Sequence, residues 1–328
     1  EPFSITIFTP DNLAEILASY GSLLSDRIMR TIAQRLNAMT CDQESLFSMT
    51  GTDFVLLVSK PCDHQQMKDI LARYLRSIRA PVEIDAAYYR ISASCGVACY
   101  PANGTNRDDL IMKANLALYQ AKRGGSPIAF YSAPIEKTLL RRTQIRNAMP
   151  KALENQEFEL YYQPQIELEN NRLVGFEALL RWHSTDLGEV SPLEFIQVAE
   201  ESRMILPLGN WVLETACEAL LLLEERFQTP FRMAVNVSGA QLQQGGFFER
   251  VQKLLRTKGI GADRLELEIT ESVLFKHNHE SLKKLNRLRA GGVRIALDDF
   301  GTGYSTMSLL KDLKVTTLKI DRSFVQDE

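Results

Sequence analysis

Apolar and polar positions follow two periods along the chain, and the pattern changes after about residue 131. In the first part, apolar residues recur every three to four positions over three stretches, which predicts helices at 11–37, 66–78 and 107–122. Short apolar or alternating stretches between them predict strands at 46–47, 54–58, 86–92 and 94–100. This mixture indicates an α+β domain over residues 1–131, with a mainly antiparallel sheet.

Residues 132–150 are helical in pattern and charged, and we predict a linker helix there. Its role is open between a solvated connector and a transmitter of signals. From residue 151 onward strands and amphipathic helices alternate, with strands predicted at 158–166, 173–181, 232–237, 265–270, 294–298 and 317–320. Repeated βα units favour a parallel sheet covered by helices, and its closed form is a TIM-like (β/α)8 barrel. The predicted class of the second domain, residues 151–328, is therefore α/β.

Composition and net charge indicate which binding partners and which cell compartment the protein is expected to have. Hydrophobic residues make up 45% and charged residues 24% of the chain, as in globular proteins with packed cores. The net charge of -3 argues against duplex nucleic acid or an anionic membrane as a partner. Five cysteines without a CxxC pair, and no apolar run of membrane-spanning length, lead us to expect a cytoplasmic protein, or the cytoplasmic part of an inner-membrane sensor.

Five predicted strands each carry a polar residue near the carboxyl end, in the phase opposite to their apolar residues. These residues are Glu177, Asn236, Glu268, Asp298 and Lys319. In a parallel barrel the apolar phase packs on helices and the other phase points inward. Because barrel enzymes assemble their sites at the carboxyl ends of the strands, we predict that the five side chains share one site.

Carboxylates crowded in one interior need cations, because burial and mutual repulsion both disfavour their charge. Oxygen ligands without His or Cys favour Mg²⁺ or Mn²⁺ over zinc. Asp298 and Asp299 adjoin Gly301 and Gly303, so a turn there allows both carboxylates to serve one site. We expect Asp298 to bridge two metal ions, with Asp299 on the second. Lys319 would orient a water molecule or neutralise a phosphorane-like transition state.

The second domain resembles the EAL-domain cyclic-di-GMP phosphodiesterases of bacterial signalling. The matching motifs are Glu177 to Trp182, Tyr162 to Pro164, Asn236 to Ser238, Glu268 to Ser272, Asp298 to Gly303 and Lys319 to Asp321. The resemblance implies Mg²⁺ or Mn²⁺ on Glu177, Asn236, Glu268, Asp298 and Asp299. It also implies a catalytic Lys319, substrate contacts from Gln163 and Arg181, a loop-stabilising Glu271, linear pGpG as product, and a homodimer.

The first domain resembles a GGDEF diguanylate cyclase that has lost its site. The family's defining loop reads Thr50-Gly51-Thr52-Asp53-Phe54 here, so Thr52 replaces a metal-binding aspartate. The second such aspartate falls on Thr9, and the nucleotide-contacting pair falls on Leu17 and Ala18. A hydroxyl cannot replace a carboxylate on Mg²⁺. We therefore expect no cyclase activity and a regulatory or dimerising role.

The alternative to an enzyme is a non-catalytic cyclic-di-GMP receptor or an interaction scaffold.

A further expectation concerns the length of the second domain. Residues 151–328 provide six predicted strands, and the family places two more strands beyond them, which carry a glutamate and a glutamine. We therefore expect an incomplete barrel from a longer protein, with open strand edges and little activity in isolation.

Overall fold

The computed structural model describes residues 1–49, 51–59, 64–271, 273, 279–301 and 315–324. It divides the chain into two compact units, Glu1–Arg141 and Arg142–Glu328. The division falls inside helix α5, which the structure places at Ala133–Glu154. This helix runs past the predicted linker at 132–150 and ends four residues before the next strand.

The first unit is a five-stranded sheet with helices. Its strands in chain order are β1 (Phe3–Pro10), β2 (Glu44–Ser48), β3 (Phe54–Val58), β6 (Ala93–Tyr100) and β7 (Ile128–Phe130), and β4 (Val82–Ile84) and β5 (Ala87–Tyr89) form a separate hairpin. The order in the sheet is β2-β3-β1-β6-β7, antiparallel except for β6 with β7. The predicted α+β class with a mainly antiparallel sheet is confirmed.

In the described part of the first unit four helices precede α5: α1 (Leu13–Tyr20), α2 (Ser22–Ala38), α3 (His64–Arg79) and α4 (Arg107–Arg123). The prediction of one helix over 11–37 is wrong. Gly21 separates α1 from α2 with φ 84° and ψ 173°, a conformation outside the helical region that glycine adopts readily. The predicted strand at 86–92 is reduced to β5, and the sequence pattern missed β4 and β7.

The second unit contains a seven-stranded sheet. Its strands are β8 (Phe158–Glu167), β9 (Arg172–Ser184), β10 (Gly188–Val190), β11 (Arg232–Asn236), β12 (Leu265–Thr270), β13 (Arg294–Phe300) and β14 (Thr317–Ile320). The sheet order is β10-β9-β11-β12-β13-β14, with β8 also paired to β9. Along the path β9-β11-β12-β13-β14 neighbouring strands run parallel, as predicted.

The strands at the beginning of this sheet depart from the parallel prediction. Both β8 and β10 pair antiparallel with β9. The connections between these strands, residues 168–171 and 185–187, have the length of hairpin loops, whereas a parallel connection needs a dozen or more residues. The sequence pattern also missed β10.

Helices pack against the parallel strands. They are α6 (Pro192–Glu201), α7 (Ile205–Phe227), α8 (Gly239–Gln243), α9 (Phe247–Lys258) and α10 (His279–Ala290). Apolar residues of the outward strand phase, such as Phe176, Val235 and Leu267, are buried with one face of α7 and α9. Helix α7 is also long and apolar enough to span a membrane by length and composition, a test that core helices of soluble proteins pass as well. Here its residues Leu213, Ala216 and others pack in the core.

Candidate active site

The polar residues of the inward phase meet around Lys319 on β14. Its Nζ lies 2.6 Å from Glu268 Oε2, 3.1 Å from Glu177 Oε2 and 3.2 Å from Asp298 Oδ2. Asn236 Nδ2 donates to Glu177 Oε1 at 3.0 Å. The five side chains come from β9, β11, β12, β13 and β14, so the structure brings together all five residues that the phase of the strands selected.

Burial and charge determine the ionisation of this cluster. The Glu268 side chain has no exposed surface, and burial raises the pKa of Glu268 to about 8. The hydrogen bond from Lys319 lowers this pKa, whereas the charges of Glu177 and Asp298 raise it. Burial disfavours the charged form of Lys319, but the hydrogen bond to Glu268 and the surrounding carboxylates outweigh it and raise its pKa. The cluster is therefore an ammonium group inside a cage of carboxyl groups.

Asp299 lies at the edge of this cluster on a strained turn. Its φ of 54° is left-handed, and its backbone N–H donates to Asp298 Oδ1 at 3.0 Å. Burial, Asp298 and Asp321 raise the pKa of Asp299. Asp321 ends the motif that begins at Lys319, and its proximity to Asp299 is a feature that the sequence pattern did not reveal. Of the predicted motif here, residues 302 and 303 lie outside the described residues.

Glu271 contacts the same turn from the other side. This residue is buried, and its Oε2 accepts the backbone N–H of Gly301 at 3.2 Å. Gly301 has φ 101°, and a Cβ there would lie 2.7 Å from the Phe324 ring. Glycine is therefore required at this position by both backbone conformation and space. The loop-stabilising role of Glu271 stays a prediction, since residues 302–314 are not described.

The two predicted substrate residues lie on β8 and β9. Gln163 is the Cα partner of Glu177, so both side chains point to the same face of the sheet, and Gln163 is exposed. Arg181 lines a cavity of about 390 Å³ together with Asn236, Glu268 and Asp298. Apolar side chains of α6 and α7 form another wall of this cavity. Gln163 is not among the described residues that line it.

A larger cavity, of about 460 Å³, lies between α7 and α9. It is lined by none of the inward carboxylates, and residues of α7 and α9 form its walls. The smaller cavity is the better candidate for an active site, because it is lined by the buried carboxyl group of Glu268, whose pKa is raised.

The chemistry of the cluster fits divalent cations. Its donors are carboxylate and amide oxygens, the ligands that Mg²⁺ and Mn²⁺ prefer. Glu268 Oε1 is buried and has no hydrogen-bond partner in the described part of the chain. In the geometry of the structure, however, no three His, Cys, Asp or Glu side chains of the described residues are grouped as metal ligands. The Lys319 ammonium group lies between the carboxylates instead.

In the first unit, the residues at the predicted site of the lost cyclase lie around the end of β1, the turn before β3 and helix α1. Thr9 Oγ1 donates to Asp53 Oδ1 at 2.8 Å, which ties the end of β1 to the turn before β3. Asp11 accepts a hydrogen bond from Ser94 Oγ at 2.8 Å. Leu17 and Ala18 are exposed on α1 and offer no polar side chain.

Comparison with known families agrees with this architecture. Residues 146–328 match the family model of the EAL domain, and residues 1–127 match that of the diguanylate cyclase, GGDEF domain. The chain therefore belongs to the family of tandem GGDEF–EAL proteins.

Among curated relatives, the bifunctional diguanylate cyclase/cyclic di-GMP phosphodiesterase MucR of Pseudomonas aeruginosa is 33% identical, over 99% of this chain and 47% of the relative. The cyclic di-GMP phosphodiesterase NbdA of the same organism is 33% identical, over 97% of this chain and 40% of the relative. The chain thus spans about half the length of these relatives, or less.

Solved structures show the same folds. The PaMucR phosphodiesterase in its c-di-GMP complex is 37% identical, with a TM-score of 0.53 over 56% of this chain and 74% of that one. The S helix-GGDEF-EAL part of Vibrio cholerae LapD covers 99% of this chain and 76% of its own, at 17% identity and a TM-score of 0.56. The latter likeness supports the fold alone. The predicted fold class is confirmed for both units.

Proposed function

We propose that the second unit hydrolyses cyclic di-GMP to linear pGpG in a reaction that depends on Mg²⁺ or Mn²⁺. The observation that carries the proposal is the convergence of Glu177, Glu268 and Asp298 on Lys319 at the carboxyl ends of parallel strands, beside a cavity. Similarity to proteins named as cyclic di-GMP phosphodiesterases supports the choice of substrate. We place this activity in the cytoplasm, in a homodimer formed through the EAL domain.

In the proposed mechanism, Glu177, Asn236, Glu268, Asp298 and Asp299 would hold the two cations. When bound, the cations would activate a water molecule and neutralise charge on the phosphodiester. Lys319 keeps its proton, and its three N–H donors contact Glu177, Glu268 and Asp298 in the structure. When these carboxylates hold the cations, one of the three donors would be released to orient the attacking water. The hydrogen bond from Gly301 to Glu271 fixes the turn that carries Asp298 and Asp299.

The roles of the substrate residues follow from their positions. Arg181 lines the cavity and carries a fixed positive charge, so it neutralises a phosphate oxygen and orients the substrate. Gln163, opposite Glu177 on β8, offers an amide to the same end of the site.

The test is turnover of cyclic di-GMP by the whole protein that contains this chain, with Mg²⁺ or Mn²⁺. We expect linear dinucleotide as product and loss of activity in Glu177→Ala, which deletes a cation ligand and a Lys319 partner. Glu189→Ala, at an exposed glutamate on β10, is the matched control and should retain full activity. An unchanged rate in Glu177→Ala would exclude the mechanism.

One observation favours a non-catalytic receptor as a second candidate. The Lys319 ammonium group already balances the carboxylates, so the site can be electrostatically satisfied without cations. A receptor would bind cyclic di-GMP tightly in the presence of Mg²⁺ and Mn²⁺ and return it intact. Product formation in the same samples decides against that candidate.

For the first unit we propose that it makes no cyclic di-GMP and acts in regulation or dimerisation. Thr9 and Thr52 provide no carboxylate for Mg²⁺, and the Thr9 hydroxyl is engaged by Asp53. The expected result is no cyclic di-GMP from GTP and Mg²⁺ in Glu177→Ala protein, where hydrolysis cannot hide synthesis. Detectable synthesis would overturn this assignment.

A further inference from the structure

The Arg181 guanidinium group lies beside the candidate site, and most of its donors have no partner among the described residues. Arg181 is half-buried on β9 and lines the cavity, and its Nη1 donates to the carbonyl oxygen of Leu180 at 2.9 Å. A guanidinium group has five N–H donors, so several stay available to a ligand. Such a group is useful only if its long side chain is held in one place.

Tyr161 provides a support for this group. The Arg181 guanidinium carbon lies 5.4 Å from the centre of the Tyr161 ring, within the range of a cation–π contact. Tyr161 lies on β8 opposite Leu179, so its side chain shares a face with Leu179 and with Arg181 two residues further along β9. About half of the Tyr161 surface, 49%, is exposed, so the ring is not a component of a packed core.

An acidic neighbour faces Arg181 across the two strands but does not contact it. Glu159 is the direct Cα partner of Arg181, the arrangement that favours a cross-strand ion pair. Its Oε2 instead lies 3.9 Å from His183 Nε2, at the next position of that face. In the part of the chain that the structure describes, Arg181 has no carboxylate within 4.0 Å. Among the described residues the guanidinium group therefore contacts the Tyr161 ring and the Leu180 carbonyl oxygen, and its other N–H groups can receive an anion.

We propose that Tyr161 is a positioning residue that holds Arg181 in place to receive a phosphate oxygen of the substrate. The inference rests on the proposed function, since the anion is the phosphodiester of cyclic di-GMP. The ring restricts the guanidinium group before the substrate binds and adds no charge that competes with the phosphate. Its effect therefore appears in substrate binding and requires Arg181.

The experiment is a double-mutant cycle in the whole protein. Tyr161→Leu keeps an apolar side chain and removes the ring, while Tyr161→Phe keeps the ring. A cation–π contact at a partly exposed site corresponds to about a two- to fivefold change in an equilibrium constant. We expect Tyr161→Leu to raise KM for cyclic di-GMP by about that factor with kcat unchanged. Tyr161→Phe should restore the wild-type KM.

The decisive comparison uses the Arg181→Ala background, where Tyr161→Leu should have no further effect on kcat/KM. Where turnover in that background is too slow, the same cycle is run on equilibrium binding of cyclic di-GMP. An equal loss with and without Arg181, or no rescue by Tyr161→Phe, would overturn the proposal. Tyr88→Leu, at an exposed strand tyrosine of the first unit, is the control and should leave KM unchanged.

Failure of the proposed function gives a different result. Wild-type protein would then not hydrolyse cyclic di-GMP. If it still binds the dinucleotide, the mutant cycle on equilibrium binding decides the role of Tyr161, and if it binds none, that role falls with the function. Failure of the Tyr161 proposal alone leaves wild-type turnover intact and the two substitutions additive.

Discussion

Replacing Glu268 by glutamine should abolish turnover and, in metal-free protein, stabilise the second unit at neutral and alkaline pH. Glu268 has no exposed surface, and burial raises its pKa from an ordinary value of 4.5 to about 8. Its neighbours Glu177 and Asp298 oppose ionisation further, although Lys319 favours it. Glutamine has nearly the same shape, keeps an acceptor for Lys319 and never ionises.

The sign follows from proton binding. A carboxyl group whose pKa is higher in the folded than in the unfolded state binds more protons when folded, so stability falls as the pH rises from about 4.5 to about 8. For these two pKa values the linkage relation gives a decrease in the free energy of unfolding on the order of 3 kcal/mol between about pH 5 and about pH 7.5. For a unit of this size that corresponds to roughly 6 to 12 °C in Tm.

The assay is thermal or urea unfolding in a chelating buffer, across this pH range. We expect the gain in stability from Glu268→Gln to be small at about pH 5 and to grow to the order of 3 kcal/mol at about pH 7.5. Glu266→Gln is the control on the same strand. Its carboxylate accepts from Arg294 Nε at 3.0 Å and Thr317 Oγ1 at 2.8 Å, so this substitution should destabilise. A pH-independent or negative effect of Glu268→Gln would refute the reasoning.

Two further predictions concern packing. Burial raises the pKa of the Cys217 thiol to about 11. At about pH 8 iodoacetamide should therefore modify the exposed Cys41 and leave Cys217 unmodified until the protein is unfolded. Modification of both cysteines in the native protein would contradict the structure. Gly96→Ala should destabilise the first unit by about 3 kcal/mol or more in urea unfolding, because the new Cβ would lie 2.0 Å from a backbone nitrogen of α4. Gly245→Ala, with open space around it, should be close to neutral.

The hydrophobic pattern did not predict where a helix is interrupted or which neighbouring strands form antiparallel hairpins. The helix predicted over 11–37 is split at Gly21. The apolar period continues through this residue, although the helical conformation of the backbone is interrupted there. Periodicity reports which face is buried, and two consecutive helices against one core can preserve it. Likewise, the alternation in β8 and β10 is the same for parallel and antiparallel pairing, and only the short connections indicate the direction.

The sequence alone determined which residues could face the inside of the second unit. Side chains alternate strictly along a strand, so the apolar phase of β12 already assigned Glu266 and Glu268 to the interior. The same rule selected Glu177, Asp298 and Lys319, and the resemblance to EAL domains added the predicted roles.

Only the tertiary structure decided how these side chains meet. The contacts of Lys319 with three carboxylates, of Arg181 with Tyr161 and of Asp321 with Asp299 depend on register and stagger between strands. Lys319 and Glu177 are 142 positions apart in the chain. Alternation is a local property of covalent geometry, whereas a distance between two strands depends on every element that packs between and around them. For this reason the sequence predicts the members of the site, and the fold determines their partners.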